Sequence, residues 1–144
     1  MSRISFTGLV PDFISVNSGA YSIWLKALIE ERGFGVSRLS YFFVDNKESK
    51  ALNRSLLNHD YATDIITINH SRGKRLKVEL YLGRKIIEEN AQELGTPVEK
   101  EFARVLAHGL LHCMGWDDQT EVDRLAMRKE EEICLISRPV LEGK

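Results

Sequence analysis

Residues 108–118 read HGLLHCMGWDD and carry the clearest chemical signal in the chain. The histidines His108 and His112 are four positions apart in an apolar stretch that reads as helix, so both imidazoles lie on one helical face. Gly115 favours the left-handed conformation that ends a helix, and a turn there can bring the Asp118 carboxylate toward the imidazoles. Because imidazole and carboxylate both bind zinc, the pattern predicts a metal site formed by His108, His112 and Asp118.

Two histidines at this spacing also occur as surface residues or as hydrogen-bonded core groups. The apolar residues around the pair favour a metal, because buried imidazoles need polar partners. A purely structural zinc site is a second alternative, but such sites usually have four protein ligands with cysteines among them. Cys113 points to another side of the helix from His112, and Cys134 is distant in sequence. Three ligands and an open fourth position therefore favour a catalytic site.

Length and composition indicate a soluble, single-domain protein. The chain has 144 residues, of which 43% are hydrophobic and 28% are charged, and these are values typical of globular domains. No apolar run reaches the length of a membrane helix, and residues 1–6 lack the features of a signal peptide. Because two cysteines form no disulfide framework, we expect a cytoplasmic protein. The sequence leaves the oligomeric state open.

Hydrophobic periodicity predicts an α+β fold: a small mixed sheet of four strands covered by about five helices in a single domain. The strands are expected at residues 3–7, 37–44, 64–69 and 78–82. A short glycine-containing stretch joins the last two, so they are predicted to form a hairpin. The helices are expected at 18–32, 45–57, 83–94, 97–114 and 120–136, and residues 138–144 as a disordered tail.

Capping signals mark where several of these helices begin. Thr96 and Glu99 are spaced as a capping box at the start of the helix that carries the histidines. Asp45, Ser18 and Thr120 are expected to cap three other helices. The last helix has a set of apolar positions that suggests an amphipathic face: Val122, Leu125, Ala126, Ile133 and Ile136.

These motifs resemble those of the YbeY family of bacterial metal-dependent endoribonucleases. The family signature is H-G-x-L-H-x-x-G-Y-D-H, and the similarity extends over residues 45–135, including 52–67 and the acidic strand 78–82. An acidic residue near the start of the ligand helix corresponds to Glu101. The resemblance implies hydrolysis of single-stranded RNA by a metal-activated water, in 16S rRNA maturation and ribosome quality control. It also implies the 16S rRNA precursor and the small ribosomal subunit as partners. The cofactor that it implies is one divalent metal ion, with zinc as the leading candidate.

Two positions depart from the family pattern. The third ligand of the family is usually histidine, whereas this chain has Asp118, a residue that also binds zinc but favours oxygen-preferring metals such as manganese. The family places an arginine that is implicated in catalysis where this chain has Leu57. The loss of this cation leaves open a second interpretation, a non-catalytic RNA- or ribosome-binding factor that keeps the metal for stability.

A zinc peptidase is a third interpretation, because the spacing H-x-x-x-H-x-x-G-x-x-[HD] also occurs in metzincins. Those enzymes need a glutamate as general base directly after the first histidine. This chain has Gly109 at that position, and glycine transfers no proton. The spacing alone is therefore weak support for a peptidase.

Further candidates for RNA contacts lie outside the histidine motif. The cations Arg72, Lys74, Arg75 and Lys77 fall within six residues and are candidate phosphate contacts, although an exposed hairpin turn explains them equally well. His59 is a candidate substrate contact or acid, or simply an exposed loop histidine. Asp117 competes with Asp118 as the third ligand, but we expect its side chain to face away when that of Asp118 faces the histidines.

Overall fold

The computed structural model describes residues 3–57 and 63–141. Within them the chain forms four strands and six helices. In chain order the elements are β1 (Ile4–Gly8), α1 (Asp12–Ser15), α2 (Ser18–Glu31), β2 (Gly35–Val44), α3 (Asn46–Leu57), β3 (Ile65–Asn69), β4 (Arg75–Gly83), α4 (Arg84–Leu94), α5 (Val98–Cys113) and α6 (Glu121–Ile136). The predicted α+β class is confirmed, and the additional helix is the four-residue α1 that follows Pro11.

The strands form one mixed sheet in the order β1-β2-β4-β3. Strand β2 pairs in parallel with β1 and with β4, whereas β3 pairs antiparallel with β4 at the edge of the sheet. The predicted hairpin of β3 and β4 is therefore confirmed. Its turn contains Gly73, whose φ of 57° lies in the left-handed region that glycine adopts without steric cost.

Helix α5 packs across the inner face of the sheet and holds the histidines in place. The Tyr41 hydroxyl of β2 donates a hydrogen bond to the Leu106 carbonyl of α5 at 3.2 Å. Gly109 lies so close to the sheet that a Cβ atom there would be 2.7 Å from the Leu80 side chain and 2.8 Å from that of Ile65. Glycine at this position therefore lets the C-terminal half of α5 approach β3 and β4 closely.

Two of the four predicted helix caps form as expected. The Asp45 carboxylate accepts a hydrogen bond from the Glu48 N–H at 2.8 Å, and the Thr120 hydroxyl accepts one from the Asp123 N–H at 3.0 Å. These bonds fix where α3 and α6 begin, because each satisfies an N–H that has no partner within the helix.

The other two caps are wrong. Pro97 has an extended backbone with ψ of 140°, so α5 begins one residue later than predicted and Thr96 makes no capping bond. Asn17 instead of Ser18 precedes α2, and its side chain donates to the Phe13 carbonyl. Thr96 lies one residue before the capping position of α5, and Ser18 is already the first residue of α2, so neither residue occupies the position from which it was expected to cap.

Helix α6 turns the face opposite to the predicted one toward the core. Val122, Leu125 and Ile136 are 76%, 62% and 83% exposed. The residues that α6 buries are Met127, Glu131, Cys134 and Leu135. This rotation buries a carboxylate against α5, and the site geometry below gives the reason.

The described chain has no helix that is both long and apolar enough to cross a membrane. Of the predicted tail, residues 138–141 are described, and Arg138 donates hydrogen bonds to Glu99 at 3.1 and 3.2 Å. Residues 142–144 lie outside the described residues, as does His59.

Candidate metal centre

A tight turn at the end of α5 carries the two aspartates back toward the helix. Gly115 has a φ of 108°, as predicted for a left-handed helix stop. The Trp116 N–H donates to the Leu111 carbonyl at 3.0 Å, and the Gly115 N–H donates to the His112 carbonyl at 3.3 Å. This pair of bonds is a Schellman motif, which satisfies carbonyls that the helix end leaves open. The next residues along the chain, Asp117 and Asp118, therefore return to the side of the helix that carries the histidines.

The turn brings the Asp118 carboxylate near both histidines. The Nε2 atom of His108 lies 3.7 Å from Oδ2 of Asp118. Ligand atoms of His112, Asp117 and Asp118 all lie within 4.8 Å of one another. Two ligands of a tetrahedral zinc ion, each about 2.1 Å from the metal, lie about 3.4 Å apart. Asp118 thus lies near each histidine, but His108 is not part of the cluster within 4.8 Å, so a zinc ion held by His108, His112 and Asp118 requires side chains to move closer together.

The expectation that Asp117 faces away is wrong. Its carboxylate belongs to the same cluster, and its Oδ1 atom accepts a hydrogen bond from the Asp118 N–H at 2.8 Å. The reason is local: an aspartate side chain readily bonds a nearby backbone N–H in a turn. Asp117 therefore supports the turn, and one of its oxygens remains near the proposed ion.

Both histidines have their Nδ1 atoms occupied. Nδ1 of His108 is 2.6 Å from Oε2 of Glu131, and Nδ1 of His112 is 3.2 Å from the Trp116 carbonyl oxygen. Since a carboxylate and a carbonyl are acceptors only, each Nδ1 carries a proton and donates it, and in the neutral imidazole each Nε2 then keeps its lone pair. This hydrogen-bonding arrangement is usual for histidines that bind a metal through Nε2.

Glu131 contacts His108 and is the residue of this candidate site that sequence reasoning missed. It is 4% exposed and comes from α6, 23 residues beyond His108. A signal was present: Glu131 has the helical spacing of Met127, Cys134 and Leu135, so it is a charged residue on the stripe that becomes buried. The opposite stripe of α6 is more apolar, so hydrophobicity predicted that stripe as the buried face and not the one that contains Glu131.

An arginine joins Glu131 to a second buried carboxylate. Arg104 donates to Oε1 of Glu131 at 3.3 Å and to both oxygens of Glu101 at 2.8 and 2.9 Å. Glu101 is 2% exposed and Glu131 is 4% exposed. Two buried carboxylates are stable in the interior only when a positive charge such as the Arg104 guanidinium compensates them. The hydrogen bond to Glu131 raises the pKa of His108 above its usual value. Burial raises the pKa of the Cys113 thiol to about 11, so without a bound metal the thiol stays protonated at neutral pH.

Replacement of Glu131 by alanine should weaken metal binding by roughly 10- to 100-fold, the usual cost of removing the partner of a metal-binding histidine. The Glu131→Gln variant keeps an acceptor for the His108 N–H and should lose less. Competition with a chromophoric chelator measures the affinity directly. The exposed neighbour Glu132 gives the matched control, and a Glu132→Ala variant that loses as much affinity would contradict a specific role for Glu131.

Replacement of Gly115 by valine should destabilise the protein and impair metal binding. A side chain with a branched Cβ in a left-handed conformation costs at least about 1–2 kcal/mol. Nothing lies within 4 Å of a Cβ at this position, so the cost comes from the backbone and not from a clash. Asparagine tolerates the left-handed region, and Gly115→Asn should stay near the parent. Thermal melting and metal content of the two variants test the prediction, which fails if valine and asparagine behave alike.

The other predicted contacts lie elsewhere. The cations Arg72, Lys74, Arg75 and Lys77 are exposed at and beside the β3–β4 turn, and none of them lines the groove next to His108. The Lys74 ammonium lies 5.8 Å from the centroid of the Phe34 ring, and Arg75 donates to the Val36 carbonyl. Leu57 is the last residue of α3 and is 51% exposed.

Comparison with known proteins gives a consistent result. Residues 14–137 match the profile of a family described as Endoribonuclease YbeY. Endoribonuclease YbeY of Chlorobaculum parvum is 39% identical over 111 residues, which cover 77% of this chain and 79% of that protein. Endoribonuclease YbeY of Flavobacterium psychrophilum is 31% identical over 121 residues, which cover 84% of this chain and 86% of that protein.

A solved structure shares the fold. The solution structure of TM1509 from Thermotoga maritima superposes with a TM-score of 0.66 at 23% identity, over 93% of this chain and 87% of that one. At this level of identity the match supports the mixed sheet and its covering helices, and says nothing about chemistry.

Proposed function

Since the chain belongs to the endoribonuclease YbeY family, we propose that it is a metal-dependent endoribonuclease that hydrolyses single-stranded RNA in ribosomal RNA processing. Its metal is a single divalent ion held by His108, His112 and Asp118, and zinc is the leading candidate for that ion. The observation that supports the site most strongly is the hydrogen bonding of the two histidines. Both give their Nδ1 protons to fixed acceptors on the protein, so both Nε2 atoms are free to bind an ion.

A divalent metal in a site with an open position activates water and polarises a phosphoryl oxygen. The side chains of the protein set the conditions for that chemistry. Glu131 keeps the proton of His108 on Nδ1, while the Trp116 carbonyl does the same for His112. Asp118 adds a negative charge that a histidine in its place would not add, so the site holds its ion with less net positive charge.

Membership of the family supports a proposal for the physiological substrate and the location. We propose the 16S rRNA precursor as the substrate, the small ribosomal subunit as the partner and the cytoplasm as the location. Comparison of precursor 16S rRNA termini in cells that have and lack the protein tests the substrate. Normal maturation in its absence would contradict this assignment and leave RNA hydrolysis itself open to the assay below.

Leu57 favours the second candidate, a non-catalytic RNA- or ribosome-binding factor. An exposed leucine stands where the family places an arginine, so the usual cation for the phosphate is missing from the end of α3. Binding of RNA without cleavage by the metal-loaded protein would support this alternative. Such a factor would also keep its affinity for RNA after chelation, provided that it stays folded.

The peptidase interpretation loses support from the position of Gly109. A side chain there would meet Leu80 and Ile65 of the sheet at 2.7 and 2.8 Å. The position faces the core of the protein, and a glutamate general base has no room there.

The central experiment compares metal-loaded and metal-stripped protein on a fluorescent single-stranded RNA. Protein purified without added metal is first analysed for its metal content. We expect chelation to abolish cleavage and stoichiometric zinc to restore it, while a fully paired RNA duplex is cut slowly. His112→Ala protein from the same purification controls for contaminating nuclease, and cleavage that persists in this variant would refute the proposed site.

A further inference from the structure

A groove between α5 and α6 opens directly beside the candidate metal centre. Its volume is about 450 Å³, and both His108 and Asp118 line it. Leu94 and Thr96, at the end of α4, lie among its walls. The groove therefore leads from the surface to the place where the proposed ion would sit.

The solvent-facing part of this groove is cationic. Lys100 of α5 and two arginines of α6, Arg124 and Arg128, line it. Arg124 and Arg128 are exposed and four residues apart, so they project from the same face of α6. In the part of the chain that the structure describes, none of these three cations is paired with a carboxylate.

The acidic residues of the groove do not cancel this charge at the surface. Glu101 and Glu131 are buried beneath it and are engaged by Arg104 and His108. Asp118 is assigned to the metal. Only Glu132 remains as an exposed acid among the lining residues, so three cations face one anion along the rim.

Arg124 is hydrogen-bonded to the backbone of the proposed ligand Asp118. Its Nη1 atom donates to the backbone carbonyls of Asp118 and Gln119 at 3.4 and 3.2 Å. Both bonds use one nitrogen, so the Nε and Nη2 donors remain for another acceptor. A guanidinium fixed in this way presents two donors in the geometry that suits two oxygens of a phosphate.

From this arrangement we propose that the groove binds the sugar–phosphate backbone of the RNA strand beside the scissile bond. Arg124 contacts the phosphate next to the one that is cleaved, and Arg128 and Lys100 contact the phosphates that follow. The proposal rests on the proposed endoribonuclease activity and names the path of its substrate. It also gives this chain a phosphate-binding cation that Leu57 does not provide.

Loss of a phosphate contact has a recognisable signature. Each contact to single-stranded nucleic acid adds roughly 0.7 to the slope of log affinity against log salt concentration. The Arg124→Gln/Arg128→Gln double variant should therefore lose about 1.4 from that slope. Its RNA affinity should fall by roughly tenfold per contact at low salt, equally for RNAs of different sequence.

The experiment uses the metal-loaded full-length chain and a fluorescent single-stranded RNA. Binding is titrated at several salt concentrations, and kcat and KM are measured for Arg124→Gln, Arg128→Gln and the double variant. We expect KM to rise more than kcat falls, with unchanged metal content. Lys129→Gln is the matched control, because Lys129 is an exposed cation of α6 that does not line the groove.

Several outcomes would overturn the proposal. One is an unchanged salt slope in the double variant, and another is an equal loss in Lys129→Gln. Reduced binding in a Lys74→Gln/Lys77→Gln variant, with normal binding in the groove variants, would place the RNA at the hairpin instead. If Arg124→Gln loses its metal because the turn loosens, Arg128→Gln and Lys100→Gln still test the groove. A parent protein that binds RNA but never cleaves it would refute the proposed function, while the salt slopes would still test the groove.

Discussion

Protein with alanine in place of His112 should contain almost no bound metal and should not cleave RNA. His112 is one of three predicted ligands, and its Nδ1 atom is already committed to the Trp116 carbonyl. Alanine therefore removes the Nε2 donor without leaving any substitute. Since loss of an outer partner alone costs about 10- to 100-fold in affinity, loss of a ligand should cost more than roughly 100-fold.

Metal content of the purified variant and its rate on single-stranded RNA are the two measurements. His70 provides the control, because it is an exposed histidine at the end of β3 whose nearest charged neighbour is Glu79 at 3.5 Å. His70→Ala should keep the metal and the activity of the parent. Normal occupancy in His112→Ala would show that the ion, if there is one, is bound by other residues.

The local part of the site was predictable from the sequence because its geometry depends on neighbouring residues. The spacing of His108 and His112 fixes their common face, and Gly115 fixes the turn that follows. The hairpin of β3 and β4 was predictable for the same reason, since a short loop joins two adjacent strands. The order of the parallel strands depends on crossovers of many residues, and no local pattern determines it.

The partner of His108 was not predictable in this way, because it depends on the rotation of α6 about its axis. The helix has two faces with apolar residues, and hydrophobicity favours the one with Val122, Leu125 and Ile136. The structure buries the other face, on which Glu131 satisfies both Arg104 and His108. The buried face therefore combines the apolar residues Met127, Cys134 and Leu135 with a polar network whose members satisfy one another.

The groove beside the site depends on the same rotation. Lys100 belongs to α5, whereas Arg124 and Arg128 belong to α6, so no sequence window contains all three cations. The one dense cationic stretch of the sequence is residues 72–77, so the sequence predicted phosphate contacts at the hairpin turn instead. Once Glu131 faces α5, Arg128 and Arg124 follow at helical spacing along the rim of the groove.

Replacement of Asp118 by alanine should remove the metal, whereas replacement of Asp117 should leave most of it in place. The two residues differ in what their carboxylates do. An Asp118 oxygen lies 3.7 Å from Nε2 of His108, close to the separation of two zinc ligands. An Asp117 oxygen instead accepts the Asp118 N–H, and this bond holds the turn. Loss of Asp117 should therefore loosen the turn and lower the affinity for the metal without removing a ligand.

A histidine at position 118 provides the sharpest form of the same test. Asp118→His replaces a carboxylate with another zinc donor, the one that the family usually has, and should keep the metal. Asp118→Asn leaves only an amide oxygen, which is a weak ligand, so this variant should lose the metal. Metal analysis of Asp117→Ala, Asp118→Ala, Asp118→Asn and Asp118→His side by side separates the possibilities. If Asp117→Ala loses the metal and Asp118→Ala keeps it, Asp117 is the third ligand and Asp118 only lines the groove. If both variants lose the metal, the two carboxylates share the ion, because each lies within reach of His112.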